Sequence, residues 1–348
     1  MAQNRFWMGF FSIIIIIFIA LSIFWFWGKS RVDGLVSDYY QSKGFDLKYD
    51  NKDISGYPFS FQVDFKNLQA NAEHEGQKVL TSSEHTKFKS YLWSPYKLYF
   101  ASENDKISMP VTLKSEEKGD SKFDFSIDIS KTSGFIHFKD EKYLKEVEVE
   151  LEELRVKGED KKILSIEEVD VNVKYKKDTA EESIGKVDFK VKNIEVYQEN
   201  MSVPPIKIEK ISGDIDVHMQ KNPSNPLKFK EGDMKGIIKI EWGPGEFEIT
   251  LDLSLQDNDK YPTPIANGTV KLTAKNLEPF IDHVFGKMMN SRQLVAMKAA
   301  LQAFKKDDRR YSVSVEFKDG EVNLENMLNT NTLPSEEKPE NESTAQAA

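Results

Sequence analysis

The sequence contains no cysteine in its 348 residues. That absence excludes disulfide bonds, thiolate metal ligands, cysteine nucleophiles and an acylated cysteine that would anchor a lipoprotein. It leaves the compartment open, because oxidising compartments permit disulfides without requiring them. The histidines lack helical or zinc-finger spacing, so we expect no metal site. They are His74, His85, His137, His218 and His283.

Motifs that accompany catalysis or cofactor binding are also missing. The sequence has no glycine-rich phosphate loop, no nucleophile elbow and no dinucleotide fingerprint. We therefore expect no catalytic residues, no cofactor and no enzymatic activity. Acidic residues outnumber basic ones, 57 against 48. This excess argues against nucleic acid as a partner, because nucleic-acid binders neutralise phosphates with Lys and Arg.

One long hydrophobic run is present, near the N-terminus. Residues 6–27 carry no charge over 22 positions, and a helix of that length spans about 33 Å, enough to cross a bilayer core of roughly 30 Å. The alternative is a cleaved signal peptide, but the run is too long and bulky residues occupy the cleavage position. We therefore favour an uncleaved signal-anchor. Its membrane-interface residues are Trp7, Trp25, Trp27, Lys29 and Arg31.

The sequence divides into four predicted segments. These are a cytoplasmic tip with the transmembrane anchor (1–28), a juxtamembrane amphipathic helix (29–44), a β-rich domain (45–328) and a disordered tail (329–348). A subdivision of the β-rich domain near 176–183 is an alternative. We expect a single-pass protein of the inner membrane with its main domain in the periplasm, because long domains translocate largely regardless of charge.

The β-rich domain is predicted from alternation of apolar and polar residues. Phe59, Phe61, Val63 and Phe65 give one example among about a dozen, and period two is typical of strands with one apolar and one polar face. Short glycine-containing segments punctuate these runs at Gly213-Asp214, Gly243-Pro244-Gly245 and Asp319-Gly320. The last two predict tight hairpin turns, since glycine accepts positive φ.

One helical region is predicted near the C-terminus, between Leu277 and Lys306. Its apolar residues recur at spacings of three and four, as on one face of a helix. Gly286 or Asn290 is expected to break it into two parts. The apolar positions are Phe280, Val284, Met288, Leu294, Met297, Leu301 and Phe304.

The predicted fold is therefore mainly β, with one or more large antiparallel meander sheets, one N-terminal transmembrane helix and one amphipathic C-terminal helical region. Each strand presents an apolar face, and one helical region is too small to cover a dozen of them. The apolar surface must close as a sandwich, curl into a curved trough or hold an apolar ligand.

A dense aromatic group follows the anchor, and two interpretations of it are open. It is either the core of the N-terminal part of the sheet or an apolar groove for acyl chains. The candidate groove residues are Tyr57, Phe59, Phe61, Phe65, Trp93 and Tyr96.

A short motif in this group is similar to that of a known family. Residues 55–59 read Ser-Gly-Tyr-Pro-Phe, and Trp93-Ser94-Pro95-Tyr96 follows in an aromatic segment. After a membrane anchor and a short helix, this combination resembles the inner-membrane domain-of-unknown-function family 2125. That family has no established activity, so the resemblance implies no catalytic residue.

The end of the β-rich domain has a weaker likeness to AsmA-like domains. A helix, a strand, Asp319-Gly320 and a final strand are similar to the close of those domains. That likeness would imply a role in phospholipid traffic or envelope assembly. We expect a lipid-binding or lipid-moving module with membrane lipids and envelope proteins as partners. The alternative is a structural or protein-interaction domain with a filled core and no ligand.

Overall fold

The structure is a computed structural model that describes ten stretches of the chain. These are residues 46–74, 77–113, 121–140, 143–159, 161–197, 205–222, 225–257, 264–286, 289–307 and 309–323. The predicted transmembrane helix, juxtamembrane helix and C-terminal tail lie outside the described residues.

Strands make up most of the described chain. The first eight are β1 (Asp46–Lys48), β2 (Asn51–Ser55), β3 (Ser60–His74), β4 (Gln77–Tyr91), β5 (Ser94–Leu113), β6 (Ser121–Phe138), β7 (Leu144–Gly158) and β8 (Lys161–Asp178). The others are β9 (Glu182–Val196), β10 (Ile206–Asn222), β11 (Asn225–Trp242), β12 (Gly245–Gln256), β13 (Ile265–Lys275), β14 (Lys305–Asp307), β15 (Arg310–Lys318) and β16 (Glu321–Asn323).

All these strands belong to one antiparallel sheet of 16 strands. From β3 to β13 every strand pairs with the next in the chain, which is the meander predicted from the sequence. The short strands β1 and β2 pair with the outer edge of β3, and β14 and β16 with that of β15. The sheet is open, and no second sheet faces it within the described residues. The range 176–183 contains the end of β8, a short turn and the start of β9.

The alternation is interrupted in several strands by a residue in the left-handed conformation. Asn67, Asn104, Glu153 and Asn193 have φ of 51°, 55°, 53° and 51° and lie inside β3, β5, β7 and β9. Because these residues interrupt the pleat, apolar residues on the same face are three positions apart in the sequence at these points, instead of two. The register of the flanking pairs is the same on both sides of each interruption.

Two short helices follow β13 in the region predicted to be helical. Helix α1 spans Leu277–Phe285 and helix α2 spans Ser291–Leu301. The Asn290 side chain accepts a hydrogen bond from the Gln293 backbone in a capping box, which starts α2. The predicted break near Gly286 or Asn290 is confirmed. Only α1 buries side chains, Phe280 and Ile281.

Both predicted hairpin turns are confirmed. Gly243 and Pro244 join β11 to β12, and Asp319 and Gly320, with φ of 54° and 80°, join β15 to β16. Positive φ at both central residues is the conformation of a type I′ turn. The Gly213-Asp214 pair does not interrupt a run, since it lies within β10. A Cβ on Gly213 would stand 2.3 Å from Cε1 of Phe189, so glycine provides room for the neighbouring ring.

Fully buried apolar residues are few and most lie in two clusters near the ends of the sheet. The cluster in β2 and β3 contains Ile54, Val63 and Phe65, with Leu68 and Phe88 packed against it. The other buried apolar residues near the C-terminal end are Ala274, Phe280, Ile281 and Tyr311. In the long middle of the sheet, most apolar residues are only half-buried.

Candidate functional site

Apolar residues form continuous rows across one face of the sheet. A row consists of the residues that the register places opposite one another in neighbouring strands. One row crosses ten strands, from β5 to β13 and then β15. It contains Leu98, Ile136, Val147, Val173, Val187, Ile215, Gly236, Leu251, Val270 and Val315. We call the face that carries this row the apolar face.

A second row runs beside the first along the same ten strands. It contains Phe100, Gly134, Val149, Val171, Phe189, Gly213, Ile238, Ile249, Leu272 and Val313. The residues of both rows are half-buried, neither fully covered nor fully exposed. A second layer packed over the sheet would bury such side chains completely. Solvent therefore reaches an apolar surface in the middle of the sheet.

The opposite face is charged, and ion pairs cross its strands. In one row Lys131 lies 2.5 Å from Glu152, and Lys210 lies 2.8 Å from Glu241. These side chains are largely exposed, so each pair contributes at most about 1 kcal/mol to stability. Their main effect is to favour exposure of this face to solvent.

Ion pairs on the charged face shift the pKa values of their members. The hydrogen bond that Lys131 donates to Glu152 raises the pKa of Lys131. The hydrogen bond that Lys192 donates to Glu168 lowers the pKa of Glu168. Both shifts favour the charged forms of these two side chains.

Helix α1 covers one end of the apolar face. The ring of Phe280 lies 4.8 Å from that of Trp242 and 4.9 Å from that of Phe247, centroid to centroid. Tyr311 on β15 donates a hydrogen bond of 2.7 Å to Glu278 of the same helix. Helix α2 contributes no buried side chain, and its Val295 is 66% exposed. The two helices thus leave the central rows uncovered.

The candidate groove residues predicted from the sequence do not gather in one lining. Phe65 is buried among Ile54 and Val63, and Phe61 is half-buried on the same strand. The other four are exposed in or next to the turns that join β2 to β3 and β4 to β5. They are Tyr57, Phe59, Trp93 and Tyr96. The aromatic segment thus contributes both to a core and to the tips of hairpins.

The rows of the apolar face were not identified from the sequence. Alternation within each strand was visible there, but a row depends on the register between strands. One signal was present: Leu151 and Leu154, like Val191 and Ile194, are three residues apart. That spacing marks the left-handed residues Glu153 and Asn193, on either side of which the apolar residues of a strand stay on the same face.

The membrane-interface residues predicted from the sequence, Trp7, Trp25, Trp27, Lys29 and Arg31, lie outside the described residues. Within the part of the chain that the structure describes, no helix combines the length and the hydropathy needed to cross a membrane.

Comparison with known families gives a match over most of the chain. Residues 25–326 match a family described as "Uncharacterized protein conserved in bacteria (DUF2125)". No curated protein is detectably similar to the chain, and no solved structure is. The weaker likeness to AsmA-like domains receives no support from these comparisons.

Proposed function

The chain belongs to DUF2125, a family of uncharacterized proteins conserved in bacteria, and we propose that it is a membrane-tethered module that binds or moves lipid. In this proposal the sheet curls into a trough, and its apolar face contacts the hydrocarbon of membrane lipids. The domain lies on the periplasmic side of the inner membrane. The proposed function is non-enzymatic. Lipid is the main partner, and envelope proteins are further partners.

The observation that carries the proposal is the half-buried state of the two central rows. Ten strands contribute to each row, and helix α1 reaches only one end of the face. Solvent-accessible apolar surface of this extent is typical of a binding surface. The left-handed residues Asn67, Asn104, Glu153 and Asn193 support the curved shape, because they interrupt the pleat of alternate strands at similar places.

The dimensions of the rows favour acyl chains as the occupant. Nine spacings of about 4.8 Å between strands give a row of about 43 Å. One bilayer leaflet presents about 15 Å of hydrocarbon, half of a core of about 30 Å. A lipid chain therefore fits along a row with room to spare, and each buried CH₂ contributes about 0.8 kcal/mol.

The tether to the membrane supports the same occupant. Between Trp27, at the end of the uncharged run, and Asp46, at the start of β1, there are 18 residues. Fully extended, they reach at most about 65 Å. The sheet would therefore stay close to a bilayer, where lipid is the most concentrated apolar ligand.

We expect Ile215→Glu to reduce lipid capture by the apolar face about tenfold, because a lipid chain would bury the new carboxylate without a partner. The full chain is reconstituted in vesicles that contain an uncharged diacylglycerol with a diazirine in one acyl chain. After illumination, mass spectrometry counts crosslinks to peptides of β5–β13. Crosslinks within 6–27 report insertion of the predicted anchor in the same sample.

The matched control is Ser212→Glu, on the same strand but on the charged face. Its register partners are Lys190 and Lys239, so the new carboxylate meets favourable charges there. We expect this variant to crosslink like the wild type, and circular dichroism checks the fold of both. Absence of crosslinks on β5–β13 of the wild-type chain would refute the lipid-binding function.

The alternative is a protein-interaction domain, and the exposed aromatic tips favour it. Trp93 is 69% exposed and Phe59 is 51% exposed, with their ring centroids 6.3 Å apart. Exposed tryptophan is enriched where proteins bind one another. If the tips serve another protein, Trp93→Ala should leave lipid crosslinking unchanged and abolish capture of that partner from an envelope extract.

A further inference from the structure

A cavity of about 320 Å³ lies on the apolar face where β3 to β7 meet. Part of its wall is a row of hydroxyl groups, formed by the register partners Thr86, Ser102 and Thr132 on β4, β5 and β6. The same row continues with Phe65 on β3 and Leu151 on β7. Three neighbouring strands thus present hydroxyls where the flanking strands present hydrocarbon.

A carboxylate also faces this cavity. Because Asn104 is left-handed, Asp105 lies on the same side of β5 as Ser102. The Asp105 Oδ2 atom accepts hydrogen bonds from Ser102 Oγ at 2.5 Å and from Thr132 Oγ1 at 2.6 Å. Among the described residues, no cation is within ion-pair distance of Asp105, and its Oδ1 atom accepts no hydrogen bond.

In the middle of the sheet, a more deeply buried carboxylate shows how such a group is compensated elsewhere in the chain. Asp178, at the end of β8, lies 2.6 Å from the Lys221 ammonium. Burying a charge is costly unless a partner neutralises it. Asp178 has its cation within the chain, whereas the half-buried Asp105 has only hydroxyl partners within the described residues.

A second polar group in the cavity wall, the Thr86 hydroxyl, lacks a partner among the described residues. Thr86 is 8% exposed, and its Oγ1 atom is buried without a hydrogen bond to any described residue. Buried hydroxyls are normally satisfied, so an unpartnered one indicates a missing donor or acceptor. An ammonium group carries three donors and no acceptor, which suits a carboxylate and an unpartnered hydroxyl oxygen.

We propose that this cavity binds the ammonium group of an amine-bearing amphiphile, with Asp105 as the counter-ion and the hydrocarbon laid on the apolar face. The proposal rests on the lipid-binding function and specifies which headgroup chemistry the face selects. A phosphate or carboxylate group would be repelled by Asp105. An uncharged hydroxyl would gain no ion pair, and charge-assisted hydrogen bonds are roughly twice as strong as neutral ones.

The size of the cavity agrees with a headgroup and not with a whole lipid. Sites for complete small molecules occupy roughly 300–1,000 Å³, and this cavity is at the lower limit. The amine end would fill it, and the chains would continue along the rows that start at Leu98 and Phe100. Thus one part of the face would select the headgroup and the remainder would hold hydrocarbon.

The test uses the full chain and the diazirine diacylglycerol assay with two competitors of equal length, dodecylamine and dodecanol. The amine is protonated at neutral pH, because alkylamines titrate near pH 10. We expect dodecylamine to halve the crosslinking of β5–β13 at about one-tenth of the dodecanol concentration, as charge-assisted hydrogen bonds are the stronger ones. Asp105→Asn should make the two competitors equal.

The control variant is Glu103→Gln, which removes the same charge from the exposed side of β5. This variant should still prefer the amine. That result would distinguish a local site from a general attraction of the amine to the protein's net charge of -9. Equal competition by amine and alcohol in the wild-type chain would overturn the headgroup site alone. Failure of any lipid to crosslink β5–β13 would instead overturn the proposed function. If Asp105→Asn does not fold, the comparison of the two competitors on the wild-type chain still tests the headgroup site.

Discussion

The substitution Phe65→Ala is expected to lower the free energy of unfolding of the N-terminal strands by about 3–5 kcal/mol, the usual cost of removing a buried phenylalanine. Phe65 is 2% exposed and belongs to the cluster with Ile54 and Val63. Its ring lies 5.2 Å from Tyr49 and 6.4 Å from Phe88, centroid to centroid. Few other buried side chains are available to fill the space that its removal leaves.

The effect should be local, because each strand of a meander contacts mainly its two neighbours. Hydrogen exchange is expected to accelerate in β2, β3 and β4 while β12 and β13 keep their protection. The control is Phe59→Ala, which removes the same ring where it is 51% exposed and should change stability by no more than about 0.5 kcal/mol. Equal changes in both variants would show that the Phe65 cluster does not hold this end of the sheet.

The substitution Asp178→Ala is expected to cost about 3–5 kcal/mol, because it leaves a partly buried lysine without its counter-ion. The Asp178 side chain is 6% exposed and that of Lys221 is 24% exposed. Asp178 also accepts hydrogen bonds from Ser183 Oγ and from the Leu144 backbone N–H at 2.5 and 2.9 Å. One carboxylate therefore joins β8 to the ends of β7, β9 and β10.

Thermal unfolding and hydrogen exchange of β7–β10 measure this loss. The control is Asp216→Ala, which breaks an ion pair of 3.3 Å with Lys176 in which both side chains are more than half exposed. Exposed pairs contribute at most about 1 kcal/mol. If the two variants were destabilised equally, the buried Asp178–Lys221 pair would contribute no more to stability than an exposed pair.

The same group makes stability depend on pH. Burial alone would raise the pKa of Asp178, but the hydrogen bonds from Lys221, Ser183 and the Leu144 backbone bring its pKa below the ordinary value. A lowered pKa stabilises the folded state above the unfolded pKa of about 3.9, and this contribution disappears as the pH falls through the folded pKa. The difference in unfolding free energy between wild type and Asp178→Asn should be constant above about pH 5 and shrink below about pH 4. A difference that did not change down to about pH 2 would contradict this assignment.

Local features of the fold were accessible from the sequence. The Asp319-Gly320 turn and the break near Asn290 depend on the conformational preferences of a few adjacent residues, and both were predicted correctly. The Gly213-Asp214 pair was misjudged, because its role is to make room for Phe189 on another strand. The aromatic segment likewise divides between the buried Phe65 and exposed tips such as Trp93, a division that alternation alone does not determine.

The candidate site required more than local information. Asp105 appeared in the sequence as one more acidic residue in a charged chain. It faces the apolar side only because Asn104 adopts positive φ, and it meets Thr132 only because β5 pairs with β6 in one register. Neither condition is visible in the order of residue types.

The sequence by itself determined that the chain forms antiparallel strands with one apolar face, and where a pair of short helices interrupts them. Alternation, turn residues and helix caps act over a few positions, so they can be identified without any partner. The tertiary structure decided that the described strands join into one open sheet, that apolar residues align in rows across ten strands, and that Asp178 meets Lys221, 43 residues away. These outcomes depend on register and on long-range packing, whose free energy comes from contacts between residues that are distant in the chain.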